Sequence, residues 1–177
     1  SGDSTEVRAM LSALVPKVES CREAFNAQAV GNSLYGMQGM SRDNGEVRAM
    51  LSALVHKVES CREALDAQEV GNSLYGMQGM SRDSGEVRAM LSALVPKVES
   101  CREALSAQAV GNSLYGLQGM SRDSTEVRAL LSALAPKVER CGEAVSEQAV
   151  GNSLYGLQGM SGDSTEVRAM LSALVPK

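Results

Sequence analysis

The chain has 177 residues, a formal net charge of −4, no Trp, one Phe and four Tyr. This length allows one or two compact domains or one repeat array, and the scarcity of aromatic residues favours closely packed helices built from Ala, Val, Leu and Met. An acidic chain does not hold nucleic acid by bulk charge, because that interaction needs clustered Lys and Arg. No apolar run reaches about 18 residues, so no membrane-spanning helix is predicted.

One segment returns every 40 residues and defines the organisation of the chain. It reads Val-Gly-Asn-Ser-Leu-Tyr-Gly-Met-Gln-Gly-Met at 30–40, and it returns three times with only Leu117 and Leu157 replacing Met. Self-similarity at a fixed period of this length indicates a stack of like structural units. We therefore predict a single array over residues 1–177, with complete units at 1–40, 41–80, 81–120 and 121–160 and a partial unit at 161–177. Because residues 161–163 repeat residues 1–3, we interpret the chain as a processed product or a piece of a longer array.

Each unit begins with a predicted amphipathic helix. In the first unit Asp3 is followed three residues later by Glu6, which predicts a capping box at the helix start. One face carries apolar residues at helical spacing: Val7, Met10, Leu11, Leu14 and Val18. Pro16 lies inside this pattern, so we expect a kink or a short break there.

A second helix is predicted over residues 27–38, ended by Gly39. Asn26 precedes it, and the equivalent positions hold other residues that favour an N-cap. Gly31 and Gly36 each weaken an isolated helix by about 1 kcal/mol relative to Ala, so we expect them to permit close approach of a neighbouring unit. Two helices per unit predict an all-α fold, an α-solenoid of helical hairpins with four full units and a terminal helix.

The two ends lack the polar replacements that usually cap a repeat array. Val7 and Met10 in the first unit match the internal units, as do Val167, Met170 and Leu171 in the last. An exposed apolar end predicts self-association or a larger assembly through the uncapped ends.

Cysteine occurs once per unit, at Cys21, Cys61, Cys101 and Cys141. Stacked helices place equivalent atoms about 10 Å apart, which is too far for a disulfide, and the spacing matches no zinc site. We therefore expect buried free thiols within the helices and a reducing compartment.

The sequence predicts no enzyme, no metal site and no cofactor. Nearly identical units give a periodic surface, whereas catalysis needs unlike groups converging on one point. The one His, His56, replaces a Pro on a helix surface and is interpreted as incidental.

Side chains at one unit position form ladders along a solenoid, and these are the candidate ligand-binding residues. Three ladders on the second helices are candidates: Asn32, Asn72, Asn112 and Asn152; Tyr35, Tyr75, Tyr115 and Tyr155; and the variable N-cap position, Asn26, Asp66, Ser106 and Ser146. Asn can bond a peptide backbone or a base edge, and Tyr can stack on a base. Alternatively, Asn and Gln tie adjacent units together, Tyr fills the groove between them, and the third ladder only caps helices. The Arg8 series is likewise either a phosphate track or an ion-paired face beside Glu6 and Glu19.

The two helices of the unit resemble those of octotricopeptide-type repeats and of the related repeats upstream of RAP domains. The resemblance is carried by Gln28-Ala29-Val30-Gly31-Asn32-Ser33-Leu34-Tyr35 and by Leu130-Leu131-Ser132-Ala133-Leu134-Ala135, and it covers nearly the whole chain. It implies sequence-preferring binding of single-stranded RNA through the second helices, in a mitochondrion or chloroplast. We therefore predict a non-enzymatic binding scaffold with RNA as the favoured ligand. A peptide- or protein-binding scaffold and a self-associating structural array are the alternatives.

Overall fold

The computed structural model describes residues 4–40, 44–80, 84–120, 124–160 and 162–175. Within these ranges the chain contains two alternating kinds of α-helix and no strand. The long helices, with α9 as a shorter last member, are α1 (Thr5–Ser20), α3 (Gly45–Ser60), α5 (Gly85–Ser100), α7 (Thr125–Glu139) and α9 (Thr165–Leu174). The short helices are α2 (Ala27–Tyr35), α4 (Ala67–Tyr75), α6 (Ala107–Tyr115) and α8 (Glu147–Gly156). None of the helices in these ranges is long and apolar enough to cross a membrane.

Helices of the same kind stack in two layers. The helices α1, α3, α5, α7 and α9 pack one on the next, and α2, α4, α6 and α8 do the same beside them. In the second unit the predicted apolar face is buried at Val47, Met50, Leu51, Leu54 and Val58. The opposite side of each long helix is exposed, as predicted from Arg8, Ser12 and Glu19. The predicted α-solenoid of helical hairpins is confirmed.

The long helices are capped one residue later than predicted. Ser4 is the N-cap of α1, and its hydroxyl accepts a hydrogen bond from the Val7 N–H at 3.3 Å. The equivalent caps are Asn44, Ser84, Ser124 and Ser164. Asp3 and its equivalents at 43, 83 and 123 lie outside the described residues, whereas Asp163 is described and directly precedes the cap of α9. The error arose because Ser and Asn cap as well as Asp does, so two adjacent residues compete for one position.

Pro16 does not interrupt the first helix. The helix α1 runs from Thr5 to Ser20 through Pro16, and α3, which has His56 at that position, occupies the same unit positions. The expected short break is therefore wrong, and the alternative, a kink at Pro16, stays a prediction. Proline removes a single backbone donor, and the exposed side of a long helix tolerates that loss.

The short helices end earlier than predicted. Instead of continuing to Gln38, α2 ends at Tyr35, with Gly36 as its C-cap. After the helix the backbone hydrogen bonds span three residues instead of four. They run from the Met37 N–H to the Leu34 carbonyl at 2.9 Å and from the Gln38 N–H to the Tyr35 carbonyl at 3.1 Å. Gly39 has a φ of +72°, which ends the turn in a conformation that glycine adopts without strain.

In the second and third units two glycines permit close packing, as predicted: one lies within the short helix and the other at its C-cap, and they face opposite neighbours. A Cβ atom on Gly71 would lie 3.1 Å from the Cα of Ala109 in the following unit. A Cβ atom on Gly76 would lie 1.9 Å from the carbonyl oxygen of Leu34 in the preceding unit. The backbones of α4 and α6 are therefore pressed against a neighbouring unit on both sides, whereas Cβ atoms on Gly36 and Gly151 would meet no other unit within 4 Å.

The first unit shows which side of each helix faces which neighbour. Met10 is 65% exposed, whereas the equivalent Met170 of the last helix is fully buried, so this position faces the preceding unit. Leu11 is 5% exposed and the equivalent Leu171 is 40% exposed, so this position faces the following unit. The predicted apolar exposure is therefore confirmed for Val7, Met10 and Leu171. It is wrong for Val167 and Met170, which are buried, because the last helix packs against the preceding helix α7.

The cysteines are free thiols, as predicted. Cys61 and Cys101 are buried, whereas Cys21 and Cys141 in the outer units are half-buried. They lie at or just beyond the ends of the long helices and not within them, so the expected helical position is wrong. The backbone N–H of each cysteine donates to a carbonyl three or four residues earlier and so closes the last turn of the long helix.

Candidate ligand-binding face

The variable ladder at the start of the short helices has a structural role in all four units. The side chains of Asn26 and Asp66 accept hydrogen bonds from the backbone N–H three residues on, at 2.7 Å in both cases. Ser106 and Ser146 accept the same bond at 3.1 Å and 3.2 Å. The N-cap interpretation is confirmed, and a ligand-binding role for these residues stays a prediction.

The Asn ladder lies beside a Gln ladder on one side of the short helices. Between α6 and α8, Gln108, Asn112, Gln148 and Asn152 line a groove of about 270 Å³ with Ser146 and Ala149. Within the described part of the chain, these four carboxamides make no hydrogen bond to another protein group. The expectation that they tie adjacent units together is therefore not realised in this groove. Each carboxamide keeps both its donor and its acceptor for a ligand or water.

The Tyr ladder forms a continuous stack. The ring centroids of Tyr35 and Tyr75, of Tyr75 and Tyr115, and of Tyr115 and Tyr155 are 5.8, 5.6 and 5.7 Å apart. Inserting a base between two rings needs about 7 Å, twice the closest van der Waals separation of aromatic carbons. The stack therefore has to open before a base can enter it. This arrangement matches the alternative in which the Tyr side chains fill the groove between units.

The Arg ladder is an ion-paired exposed face, as predicted. The Arg8 guanidinium lies 3.0 Å from the Glu46 carboxylate, so the pair joins the first and second units of the long-helix layer. The same pair recurs along the layer as Arg48–Glu86 at 3.1 Å, Arg88–Glu126 at 3.2 Å and Arg128–Glu166 at 3.0 Å. Pairing of this kind at an exposed surface contributes little to stability, but it neutralises the guanidinium groups that a phosphate track would need.

The pairing lowers the pKa of the glutamates. Hydrogen bonds from Arg128, from its own backbone N–H and from the Ser164 hydroxyl lower the pKa of Glu166 to about 2. For Glu86 the hydrogen bond from Ser84 is the largest cause and that from Arg48 follows, again giving a pKa of about 2. Hydrogen bonds to a carboxylate favour its charged form, so these groups are ionised throughout the physiological range.

Two further ladders join the units through backbone groups, and the sequence reasoning missed both. Lys57 donates to the carbonyl of Cys21 at the end of α1, and the contact recurs from Lys97 to Cys61 and from Lys137 to Cys101. This cation satisfies carbonyls at the negative end of a helix dipole. The recurrence of Lys near the end of every long helix was the available signal, but its partner lies 36 residues earlier.

The second of these ladders caps the short helices from the following unit. The Glu63 carboxylate accepts the N–H of Ala27 at 3.0 Å. Glu103 and Glu143 accept the equivalent N–H groups of Ala67 and Ala107 at 3.2 Å and 2.8 Å. A carboxylate at the positive end of a helix is stabilising, so α2, α4 and α6 each start on two caps, one from their own unit and one from the following unit.

Charge on the short-helix face is acidic only. Residues 26–40, 66–80, 106–120 and 146–160 contain no Lys or Arg. Glu69 is the one acidic residue within α4, and burial raises the pKa of its carboxyl group, against the lowering effect of its backbone bond to Asp66. A ligand on this face therefore meets amides and carboxylates, with no cation on the helices themselves.

Among the described residues, no group of three or more His, Cys, Asp or Glu could hold a metal ion. His56 is exposed and lies 3.4 Å from the Glu59 carboxylate on its own helix. A contact with a neighbour one turn away is an ordinary surface interaction.

Comparisons with known proteins do not extend these observations. No protein-family model, no curated protein and no solved structure matched the chain. The resemblance to octotricopeptide-type repeats therefore stays a prediction.

Proposed function

We propose that the chain is a non-enzymatic scaffold that binds an extended peptide along its short helices. The observation that supports this proposal is the carboxamide-lined groove between α6 and α8. A carboxamide both donates and accepts hydrogen bonds, which matches the N–H and C=O of an extended peptide backbone.

The period of the scaffold suits an extended chain. Stacked helices lie about 8–10 Å apart, and an extended peptide advances about 3.3 Å per residue. About three peptide residues therefore correspond to one unit. Because the units are nearly identical, the favoured peptide has a three-residue repeat of small or polar side chains.

The electrostatics support a peptide over RNA as the ligand. Nucleic-acid binding draws affinity from Lys and Arg that displace phosphate counterions. The short helices carry no Lys or Arg, the long-helix Arg side chains at 8, 48, 88 and 128 are ion-paired with Glu, and the Tyr rings are stacked on one another. The RNA ligand implied by the resemblance remains a prediction, and the same experiment tests it.

The test measures binding of fluorescent peptides of about twelve residues, roughly three for each complete unit, alongside homopolymer RNAs. We expect peptides with a three-residue repeat to bind with little dependence on salt. Asn112→Ala and Asn152→Ala together should weaken binding about tenfold or more, since each lost hydrogen bond costs about 1 kcal/mol. Ser132→Ala, an exposed residue on the long-helix layer, is the matched control and should leave affinity unchanged.

Other outcomes would overturn the peptide proposal. If RNA binds, with an affinity that falls steeply with salt, and no peptide binds, the ligand is nucleic acid as the resemblance implies. Failure of both ligands at low salt excludes both assignments for this face.

A further inference from the structure

The four rings of the Tyr ladder are in contact at every junction between the short helices. Neighbouring ring centroids are 5.6–5.8 Å apart, and neighbouring ring planes are inclined by 21–25°. Offset-stacked rings are in contact at centroid separations of about 4.5–7 Å. The central pair, Tyr75 and Tyr115, is the closest, at 5.6 Å and 21°. Each of these two residues has a complete unit on both sides.

The backbone holds the central pair at this spacing. Gly116 directly follows Tyr115, and a Cβ atom on Gly116 would lie 3.0 Å from the backbone nitrogen of Tyr75. The missing Cβ therefore lets α4 and α6 approach until the neighbouring tyrosine rings meet. A tilt of the rings about their side-chain bonds then brings ring carbons of the two residues together, with no movement of the helices.

The phenol groups of the central pair are open to reaction. Tyr75 and Tyr115 are half-buried. Within the described residues their hydroxyls make no hydrogen bond to another protein group, so each phenol proton can pass to water. The chain has no Trp, and the competing thiols of the same two units, Cys61 and Cys101, are buried. A one-electron oxidant therefore meets these phenols first.

We propose that the Tyr ladder is a site of oxidative cross-linking, at which Tyr75 and Tyr115 join covalently as dityrosine. The co-reactant is hydrogen peroxide, which a haem peroxidase uses to take one electron at a time from phenols. Each phenol loses one electron and one proton and becomes a phenoxyl radical. The unpaired electron is shared with the two ring carbons beside the carbon that bears the oxygen.

The two radicals then form one carbon–carbon bond between these ring carbons. The hydrogen atom on each bonded carbon leaves as a proton, and each oxygen regains a proton, so both phenols are restored. The pair has lost two electrons and two protons in all, which convert one hydrogen peroxide into two waters. Thiols do not reduce a carbon–carbon bond, so the link persists beside the free cysteines of the chain. This inference is independent of the proposed peptide-binding function.

The cross-link staples two neighbouring units together. A bond between residues 75 and 115 closes a loop of 40 residues, and closing a loop restricts the unfolded chain. In a solenoid each unit contacts only its neighbours, so the bond also opposes separation of α4 from α6. Oxidation thus converts a junction held by packing into one held covalently.

A matched pair of double variants tests the proposal, because each keeps two tyrosines and gains two phenylalanines in the ladder. The adjacent-ring variant, Tyr35→Phe/Tyr155→Phe, keeps the central pair. The separated-ring variant, Tyr75→Phe/Tyr155→Phe, keeps two tyrosines with a phenylalanine between them. Phenylalanine preserves the stacked ring, and circular dichroism checks that both proteins remain folded.

Each variant is treated with a haem peroxidase and hydrogen peroxide, and dityrosine is measured by its fluorescence. Protein concentration is varied over a roughly hundredfold range, because a reaction within one molecule does not depend on it whereas a reaction between two molecules does. A reducing gel separates monomers from covalent dimers and removes any disulfides. Tryptic digestion and mass spectrometry then locate the link.

The adjacent-ring variant should form dityrosine with a yield per molecule that does not change with concentration, and it should stay monomeric on the gel. Its tryptic peptides 63–82 and 103–122 should appear joined, with a mass two hydrogen atoms below their sum. The separated-ring variant should yield at least about tenfold less at the lowest concentration, because its tyrosines lack the high effective concentration of direct neighbours. The urea midpoint should rise after oxidation in the adjacent-ring variant alone.

Three results would overturn the proposal. The first is the absence of dityrosine in the adjacent-ring variant. The second is an equal yield in the two variants, which would mean that coupling does not depend on the stack. The third is a yield in the adjacent-ring variant that rises with concentration together with covalent dimers, which would assign the coupling to encounters between molecules.

Discussion

Replacing Gly116 with Ala should force α4 and α6 apart and weaken the packing between the second and third units. A Cβ atom at Gly116 would lie 1.9 Å from the carbonyl oxygen and 2.4 Å from the carbonyl carbon of Leu74 in the preceding unit. Real Cβ atoms essentially never approach closer than 3.0 Å, so the helices must move apart by at least 1.1 Å, the difference between 3.0 and 1.9. Overpacking typically costs about 1–3 kcal/mol when side chains can give way. Here the obstacle is backbone, and we expect the free energy of unfolding to fall by about 3 kcal/mol or more.

The measurement is urea unfolding followed by circular dichroism. In a repeat protein each unit contacts only its neighbours, so a damaged junction between α4 and α6 should also broaden the transition or divide it in two. The matched control is Gly36→Ala, because no atom of another unit in the structure lies within 4 Å of its Cβ position and the nearest atom is the Asn32 carbonyl oxygen of its own helix at 3.4 Å. Both glycines have an α-helical φ, so Ala causes no backbone strain at either. Gly36→Ala should be neutral or stabilising by up to about 1 kcal/mol. Equal stabilities of the two variants would refute the packing argument.

Three further predictions concern single contacts. The pKa of Glu166 is depressed from its ordinary value near 4.5 to about 2, mainly by Arg128. Its contribution to stability is therefore present above about pH 4.5 and is lost as the pH falls towards 2. Arg128→Gln should raise this pKa in an NMR titration, and an unchanged pKa would contradict the assignment. Lys137→Met removes a buried cation from the end of α5 and should lower the free energy of unfolding by about 2 kcal/mol. Lys17→Met should have almost no effect, because Lys17 is exposed in the structure. Ser113 has a buried hydroxyl without a hydrogen-bond partner, so Ser113→Ala should stabilise by roughly 1 kcal/mol; a loss of stability in the same unfolding assay would point to a partner for the hydroxyl.

The fold was predictable because few packing arrangements are compatible with a repeat of 40 residues. Apolar residues at helical spacing define one side of each long helix, and identical copies have to bury that side against one another. The requirement for close packing at Gly31 and Gly36 followed from their cost to an isolated helix. The errors were local, at the caps and at the end of the short helix, where adjacent residues have similar propensities.

The polar contacts between units were only partly predictable. Pairing of the Arg8 series with Glu was foreseen, but the Glu comes from the next unit and not from its own helix. The contact of Lys57 with the Cys21 carbonyl could not be read from the sequence, because it needs the offset between stacked units and a backbone acceptor. The Tyr stack likewise depends on the distance between the short helices, which composition does not determine.

The use of backbone groups explains how the units can vary in sequence and still keep their polar contacts. The lysine of one unit donates to the carbonyl at 21, 61 or 101 of the preceding unit. The glutamate of the same unit accepts the N–H at 27, 67 or 107 of that preceding unit. Any non-proline residue supplies these backbone groups. The specific side chains of both polar ladders therefore lie on one side of each junction, and the residues that receive them are free to change.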